Sequence, residues 1–144
     1  TAMSHTSIPS FSQAADLAQH WVNELAADLD WDEKRSHRLL RSVLQTLRDW
    51  LSPEEMADLA AQLPVLVRGI YFEGWSPRHG LEPDRSKQEF VGRVQDAFTD
   101  DSLDDPDTAI SAVFRLLDRH ISAGEAVQVR NSMKKALRRM WPAH

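Results

Sequence analysis

Leu51-Ser52-Pro53-Glu54-Glu55 has a counterpart in the second half of the chain, Ile121-Ser122-Ala123-Gly124-Glu125, and these two segments set the architecture that we predict. In both, a serine precedes a glutamate with the spacing of a capping box at a helix start. Ser86-Lys87-Gln88-Glu89 has the same form, and Asp105-Pro106 combines a capping residue with a proline at the first helical position. Each of these segments therefore predicts the beginning of an α-helix.

The helices themselves are predicted from apolar residues that recur every three or four positions. The first helix starts near Ser10 or Ser12, and its apolar stripe consists of Phe11, Ala14, Leu17, Ala18, Trp21, Val22, Leu25 and Leu29. Pro64 lies inside the third helix and predicts a break there, because proline lacks a backbone donor. The sixth helix is expected to run unbroken from Ser122 to Trp141. No segment alternates as a half-buried strand would, so six helices and an all-α fold are predicted.

The two halves of the chain match each other along their length. The offset that relates Ser52 to Ser122 also relates Val43 to Val113, Leu47 to Leu117, Arg68 to Arg138 and Tyr71 to Trp141. An offset shorter by a single position relates Trp21 to Phe90. A three-helix unit with one wide apolar face can bury that face against its twin. We therefore predict two tandem three-helix units packed as one pseudo-symmetric helical bundle.

This repeat divides the chain into four parts. Residues 1–9 are polar and predicted to be a disordered tail. Residues 10–72 form the first unit, and residues 86–142 form the second. Between them, residues 73–85 hold two glycines and two prolines and are predicted to be a linker. The two units are expected to form one compact domain, since a unit of this size buries little surface alone.

The first half also carries a family resemblance. Its Gln62-Leu63-Pro64 element and the segment Tyr71-Phe72-Glu73-Gly74-Trp75, together with the first capping box, resemble the bacterial DUF2267 family. The resemblance covers most of the chain and is densest over residues 39–75. It implies an all-helical bacterial protein of unknown function, and it transfers no catalytic residue.

Composition excludes several classes of function. The 144 residues contain no cysteine, which rules out disulfides, thiolate metal sites and a cysteine nucleophile and suits a reducing cytoplasm. No apolar run is long enough to cross a membrane, and no signal peptide is visible. The net charge of −5 argues against a general nucleic-acid binder. We therefore predict a cytoplasmic protein that binds neither membranes nor nucleic acid.

The most pointed candidate site lies at the end of the third helix. Arg68, Tyr71 and Trp75 are spaced three and four positions apart, and His79 follows in the linker. An arginine beside two aromatic side chains could bind an anionic or aromatic group, which makes these four residues the predicted ligand- or partner-binding residues. The structural interpretation is that the aromatic rings fill the space between the units while Arg68 caps carbonyls at the end of a helix.

Metal sites have weaker support. His20 and Glu24 are one helical turn apart and could act together from one helix face, with His37 approaching from the next helix. A dense acidic loop over residues 100–107 could attract calcium, but it lacks the EF-hand pattern. Basic residues on the last helix have no base-reading motif beside them. We predict no metal and no cofactor.

These observations leave three hypotheses of function. The leading one is a non-enzymatic helical domain that acts through an unknown protein partner or through self-association as a homo-oligomer. The alternative is a domain that binds or senses a small anionic or aromatic ligand between the two units. The third is a metal-dependent enzyme, although no catalytic constellation is recognisable in the sequence.

Overall fold

The computed structural model describes residues 8–78 and 81–142, and the described part is all-α, as predicted. Its helices are α1 (Pro9–Leu29), α2 (Glu33–Trp50), α3 (Pro53–Gln62), α4 (Val65–Phe72), α5 (Lys87–Gln95), α6 (Pro106–His120), α7 (Ala123–Asn131) and α8 (Lys135–Arg138), with a 3₁₀ turn, Asp96–Phe98, after α5. Of the predicted tail, residues 1–7 lie outside the described part, and α1 begins at Pro9.

Helix breaks raise the number of α-helices in the described residues from the predicted six to eight. The predicted break at Pro64 is confirmed, because this residue is extended and separates α3 from α4. The prediction of an unbroken last helix is wrong. The Ser132 hydroxyl donates to the Val129 carbonyl at 2.7 Å, and Lys134 takes the extended conformation that Pro64 takes in the first half. The second break has no proline, which is why the sequence pattern did not reveal it.

An arginine side chain bridges each of the two breaks. Arg68 donates from Nε to the Ala60 carbonyl at 2.8 Å and from Nη2 to the Leu63 carbonyl at 2.9 Å. Arg138, its counterpart in the second half, donates from Nη2 to the Met133 carbonyl at 3.0 Å. Carbonyls at a helix end lack intrahelical partners, and these arginines supply them. Arg68 therefore caps carbonyls, as the structural interpretation predicts, but at the end of α3 rather than at the end of the helix that carries it.

The first helix of each half packs on both halves: α1 packs on α6 as well as on α2, and α5 packs on α2 as well as on α6. Trp21 of α1 stacks on His120 of α6 with ring centroids 4.6 Å apart. Phe90 of α5 meets Trp50 of α2 edge to face at 5.3 Å. The offsets that match the two halves relate Trp21 to Phe90 and Trp50 to His120, so the two contacts join corresponding positions.

Ion pairs beside these rings correspond as well, with their charges reversed. Glu24 of α1 pairs with Arg119 of α6 at 3.4 Å, whereas Arg93 of α5 pairs with Asp49 of α2 at 3.2 Å. The same offsets relate Glu24 to Arg93 and Asp49 to Arg119. The pseudo-symmetric arrangement of two units stays a prediction, and these reciprocal contacts are what it would produce.

Every one of the eight helices contributes buried side chains to one apolar core, with Leu44, Phe90 and Phe114 among the residues of no exposure. Of the predicted stripe of α1, Trp21, Val22 and Leu25 are buried in this core, and Ala18 and Leu29 pack against it while partly exposed. Phe11 is 59% exposed, and residues 8–13 are all exposed, because the neighbouring helices do not cover the first turns of α1. The stripe is therefore covered in the second half of α1 and open to solvent at its start.

The serine caps differ in completeness. Ser52 forms the full predicted capping box with Glu55. The box predicted at Ser122 is incomplete, because its backbone N–H donates at 2.9 Å to the Gln62 side chain from the other half. Glu125 is therefore displaced from the capping role that its sequence position predicts. The box at Ser86 is incomplete as well. The Glu89 N–H donates to the Ser86 hydroxyl, but the Ser86 N–H donates to Asp84 instead of to the Glu89 side chain.

This displacement has a consequence for stability. Burial raises the pKa of the Glu125 carboxyl, and the nearby carboxylates of Asp58 and Glu55 raise it further. Because the folded-state pKa is raised, the stability that this carboxyl contributes is fully present below the unfolded pKa. That contribution is lost as the pH rises through the folded pKa. Glu125→Gln should therefore stabilise the protein at pH 7 by about 0.5 kcal/mol, a typical size for relief of like-charge contacts, with the gain vanishing near pH 4.

Urea unfolding at the two pH values measures this difference. Glu89→Gln is the matched control, because Glu89 occupies the same position after its serine cap on α5 but is exposed. The control should show no gain at pH 7. A gain of equal size in both variants, or a gain from Glu125→Gln that persists at low pH, would contradict the assignment.

Candidate functional site

The three predicted binding residues that the structure describes do not share one open surface. The Arg68 guanidinium is bonded to the carbonyls at the end of α3. Tyr71 is fully buried, its hydroxyl donates to the Met56 carbonyl at 3.1 Å, and burial raises its pKa above the usual range. Trp75 lies beyond the end of α4, half-buried against Phe72. His79 lies outside the described residues, and the binding role of the four residues stays a prediction.

The histidine and carboxylate pairs also differ from expectation. Glu24 pairs with His120, whose Nε2 lies 2.7 Å from the carboxylate, rather than with His20. Within residues 8–78 and 81–142, no group of three or more histidines and carboxylates is placed to hold a metal ion. In the acidic loop, Asp101 pairs with Arg35, and Asp105 caps α6.

Two surfaces remain that could serve a function, and the first is the α1–α4 face. It consists of the exposed apolar side chains at the start of α1 and α4, together with the groove between these helices. The groove measures about 370 Å³ and is lined by Ala15, Ala18, Gln19, Val22, His37, Leu40, Leu66, Val67 and Ile70.

Helical spacing explains how this face arises. Phe11 lies one turn before Ala15, and Leu66 lies one turn before Ile70, so both exposed side chains continue the walls of the groove. Phe11 is 59% and Leu66 is 46% exposed, and Val65 beside it is also exposed. The side chains of Ala15 and Ala18 are small, so the groove is open on its α1 side. The result is a trough flanked by large apolar side chains.

The α1–α4 face is also nearly free of charge. Asp16 is the one charged residue among residues 9–19, and Arg68 is the one charged residue of α4, although 27% of the whole chain is charged. Arg68 turns its guanidinium toward the end of α3 and so does not charge the face. Depletion of charge with exposed apolar side chains is typical of the centre of a protein interface.

The second surface is the Arg48 cleft, which we define as three adjoining cavities between α2, α5 and residues 75–78 and 81–83. The cavities measure about 360, 240 and 580 Å³, and Arg48 and Asp49 line all three. The arginines of the lining are Arg38, Arg41, Arg48, Arg78 and Arg93. The carboxylates of the lining are Asp49, Glu82 and Asp96. The cleft therefore carries an excess of positive charge in a chain of net charge −5.

Arg48 is the centre of this cleft and is only 6% exposed. Its Nε donates to Asp49 at 3.0 Å, and its Nη1 donates to the carbonyls of Tyr71 and Glu73 at 3.1 and 3.0 Å. Arg93 of α5 reaches the same Asp49 and also Glu82. The network joins α2, α5 and the chain after α4.

Sequence reasoning missed Arg48, Asp49 and Arg93. One signal was available: Arg48 lies one helical turn after Leu44 and shortly before Leu51, so it occupies an apolar position of the α2 stripe. A charged residue at such a position needs partners in the fold. Of the three predicted binding residues that the structure describes, Arg68, Tyr71 and Trp75, only Trp75 lies in the lining of the Arg48 cleft.

Comparison with known proteins adds one finding. A family model with the description Uncharacterized conserved protein (DUF2267) matches residues 18–140. No curated protein matches the chain. Within the described residues, none of the helices has the length and apolar character needed to cross a membrane.

Proposed function

The chain belongs to the DUF2267 family, and we propose that it is a non-enzymatic interaction domain that self-associates as a two-fold dimer through its α1–α4 face. The single observation that carries the proposal is the exposure of large apolar side chains along an uncharged groove. We place the dimer in the bacterial cytoplasm, since a chain without cysteine suits a reducing compartment.

A second copy is the proposed occupant because the face is self-complementary. A two-fold interface brings the same patch of both subunits together, so each side must supply both protrusions and a recess. Here Phe11 and Leu66 protrude, and the trough beside Ala15 and Ala18 receives them. The α1–α4 face thus carries both halves of such a contact.

Charge favours the same occupant. The chain has a net charge of −5, so most faces would place like charges opposite each other in a two-fold dimer. The α1–α4 face avoids this repulsion, because Asp16 is its one exposed charge on α1 and Arg68 is turned away on α4. Burial of the apolar side chains then supplies the free energy of association.

Sedimentation equilibrium of the full chain over a wide range of concentration tests the proposal. The wild type should form a dimer, and Phe11→Ser combined with Leu66→Ser should be monomeric while keeping its helical circular dichroism. Val127→Ser is the matched control, because Val127 is an exposed apolar residue of α7 away from the face, and this variant should stay dimeric.

Two outcomes would overturn the proposal. One is a wild type that remains monomeric at the highest concentration. The other is a double variant that dimerises as tightly as the wild type and the control. A monomer whose α1–α4 face accepts the amphipathic helix of another protein would belong to the first outcome and would replace the dimer by a different partner.

A further inference from the structure

We infer that the Arg48 cleft is a binding site for a small ligand that joins an anionic group, a carboxylate or a phosphate, to an apolar body. The inference does not rest on the proposed dimer, because none of the residues that line the Arg48 cleft lines the groove of the α1–α4 face. Three features of the cleft support the inference: a guanidinium held in place, a second arginine whose buried Nε has no hydrogen-bond partner in the described residues, and an apolar wall.

The fixed guanidinium belongs to Arg48. Its Nε and Nη1 are held by Asp49 and by two backbone carbonyls, and within the described residues no hydrogen bond occupies its Nη2. All three cavities meet at this side chain. A guanidinium already held in place loses little conformational entropy when an anion binds, and its planar donors suit carboxylate and phosphate oxygens.

Arg93 supplies the second donor. Its Nη2 reaches Asp49 and Glu82 at 3.2 Å each, but its Nε is buried and has no hydrogen-bond partner in the described part of the chain. An unpaired buried donor is costly, so an acceptor brought by a ligand would be favourable there after a small movement of the side chain. The positive excess of the cleft draws anions toward both arginines.

The apolar wall lies on the side of the chain that follows α4. The 240 Å³ cavity combines Arg48 and Asp49 with the apolar residues Leu51, Pro53, Met56, Trp75, Pro77 and Leu81. An apolar wall with few polar groups at one end is the usual form of a small-molecule site. The arrangement therefore selects an amphiphilic anion over a free inorganic ion.

Two probes that join an anionic group to an apolar ring, phenylacetate and phenyl phosphate, test the inference. Isothermal titration calorimetry measures their affinity, and the amide-proton correlation spectrum reports the Trp75 indole N–H. At least one probe should bind and shift the Trp75 signal, and it should bind at least about tenfold more tightly than inorganic phosphate or benzyl alcohol, each of which carries one part only. Which of the two probes binds more tightly identifies the anionic group.

Variants localise the binding. Arg93→Met should weaken the tighter probe by about tenfold or more, as expected when a charge-assisted hydrogen bond is lost. Arg119→Met is the matched control, because Arg119 makes the corresponding ion pair on α6 outside the cleft, and it should leave the affinity unchanged. Absence of binding by both probes, inorganic phosphate binding as tightly as either probe, or equal affinity in both variants would overturn the inference.

Discussion

Phe114→Ala should lower the free energy of unfolding by about 4 kcal/mol, the typical cost of removing a buried phenyl ring. Phe114 has no exposure, and its ring lies 5.9 Å from Phe90 of α5 and 5.0 Å from Trp141, which follows α8. These contacts join three separate elements of the second half. The cavity left by alanine could not be filled without moving more than one helix. Urea unfolding followed by circular dichroism measures the loss.

Phe11→Ala is the matched control for this prediction. The substitution removes the same ring, but Phe11 is 59% exposed at the start of α1. At low protein concentration, where the chain is monomeric, its cost should stay within about 0.5 kcal/mol. A large cost at Phe11, or a small cost at Phe114, would contradict the burial that separates these two residues.

Arg48→Met should cost about 3 kcal/mol, because it breaks a buried ion pair and leaves groups without a donor. The Arg48 guanidinium is the donor to the carbonyls of Tyr71 and Glu73, and it is also one of two cations that hold Asp49. Methionine fills much of the same volume but donates no hydrogen bond. The free energy lost when the partly buried carboxylate and the two carbonyls lack this donor exceeds the free energy gained by burying the apolar side chain.

Arg41→Met provides the comparison on the same helix. Arg41 also forms an ion pair, with Glu73, but its side chain is 44% exposed. Exposed pairs contribute little, so this variant should lie within about 0.5 kcal/mol of the wild type in the same unfolding experiment. If Arg48→Met and Arg41→Met lower the free energy of unfolding equally, the buried network around Arg48 is not what stabilises the junction of the two halves.

Local signals explain the parts of the fold that could be predicted. The capping box at Ser52 and the break at Pro64 depend on residues within a few positions, and the structure has both. The break before α8 was missed because Ser132 and Lys134 end the helix without a proline. The exposure of the start of α1 could not be predicted, because periodicity shows which face of a helix is apolar, whereas the neighbouring helices determine how far along the helix that face is covered.

The candidate site was harder to predict than the fold. Arg68 and Tyr71 stood out by their spacing, but their partners are backbone carbonyls of α3, which a side-chain motif cannot predict. Arg48 and Arg93 are distant in the sequence and come together through an aspartate that both of them bond. Trp75 stood out by the same helical spacing beside a linker with glycine and proline, and it borders the Arg48 cleft.

Hydrogen exchange of the full chain, measured at low and at high protein concentration, tests the proposed dimer most directly. Amides in residues 14–22 and 66–70 should exchange more slowly at high concentration, because these segments form the walls of the α1–α4 groove. Amides of α8 (Lys135–Arg138) should exchange equally at both concentrations. Equal exchange throughout the chain, or protection confined to a different face, would contradict the account.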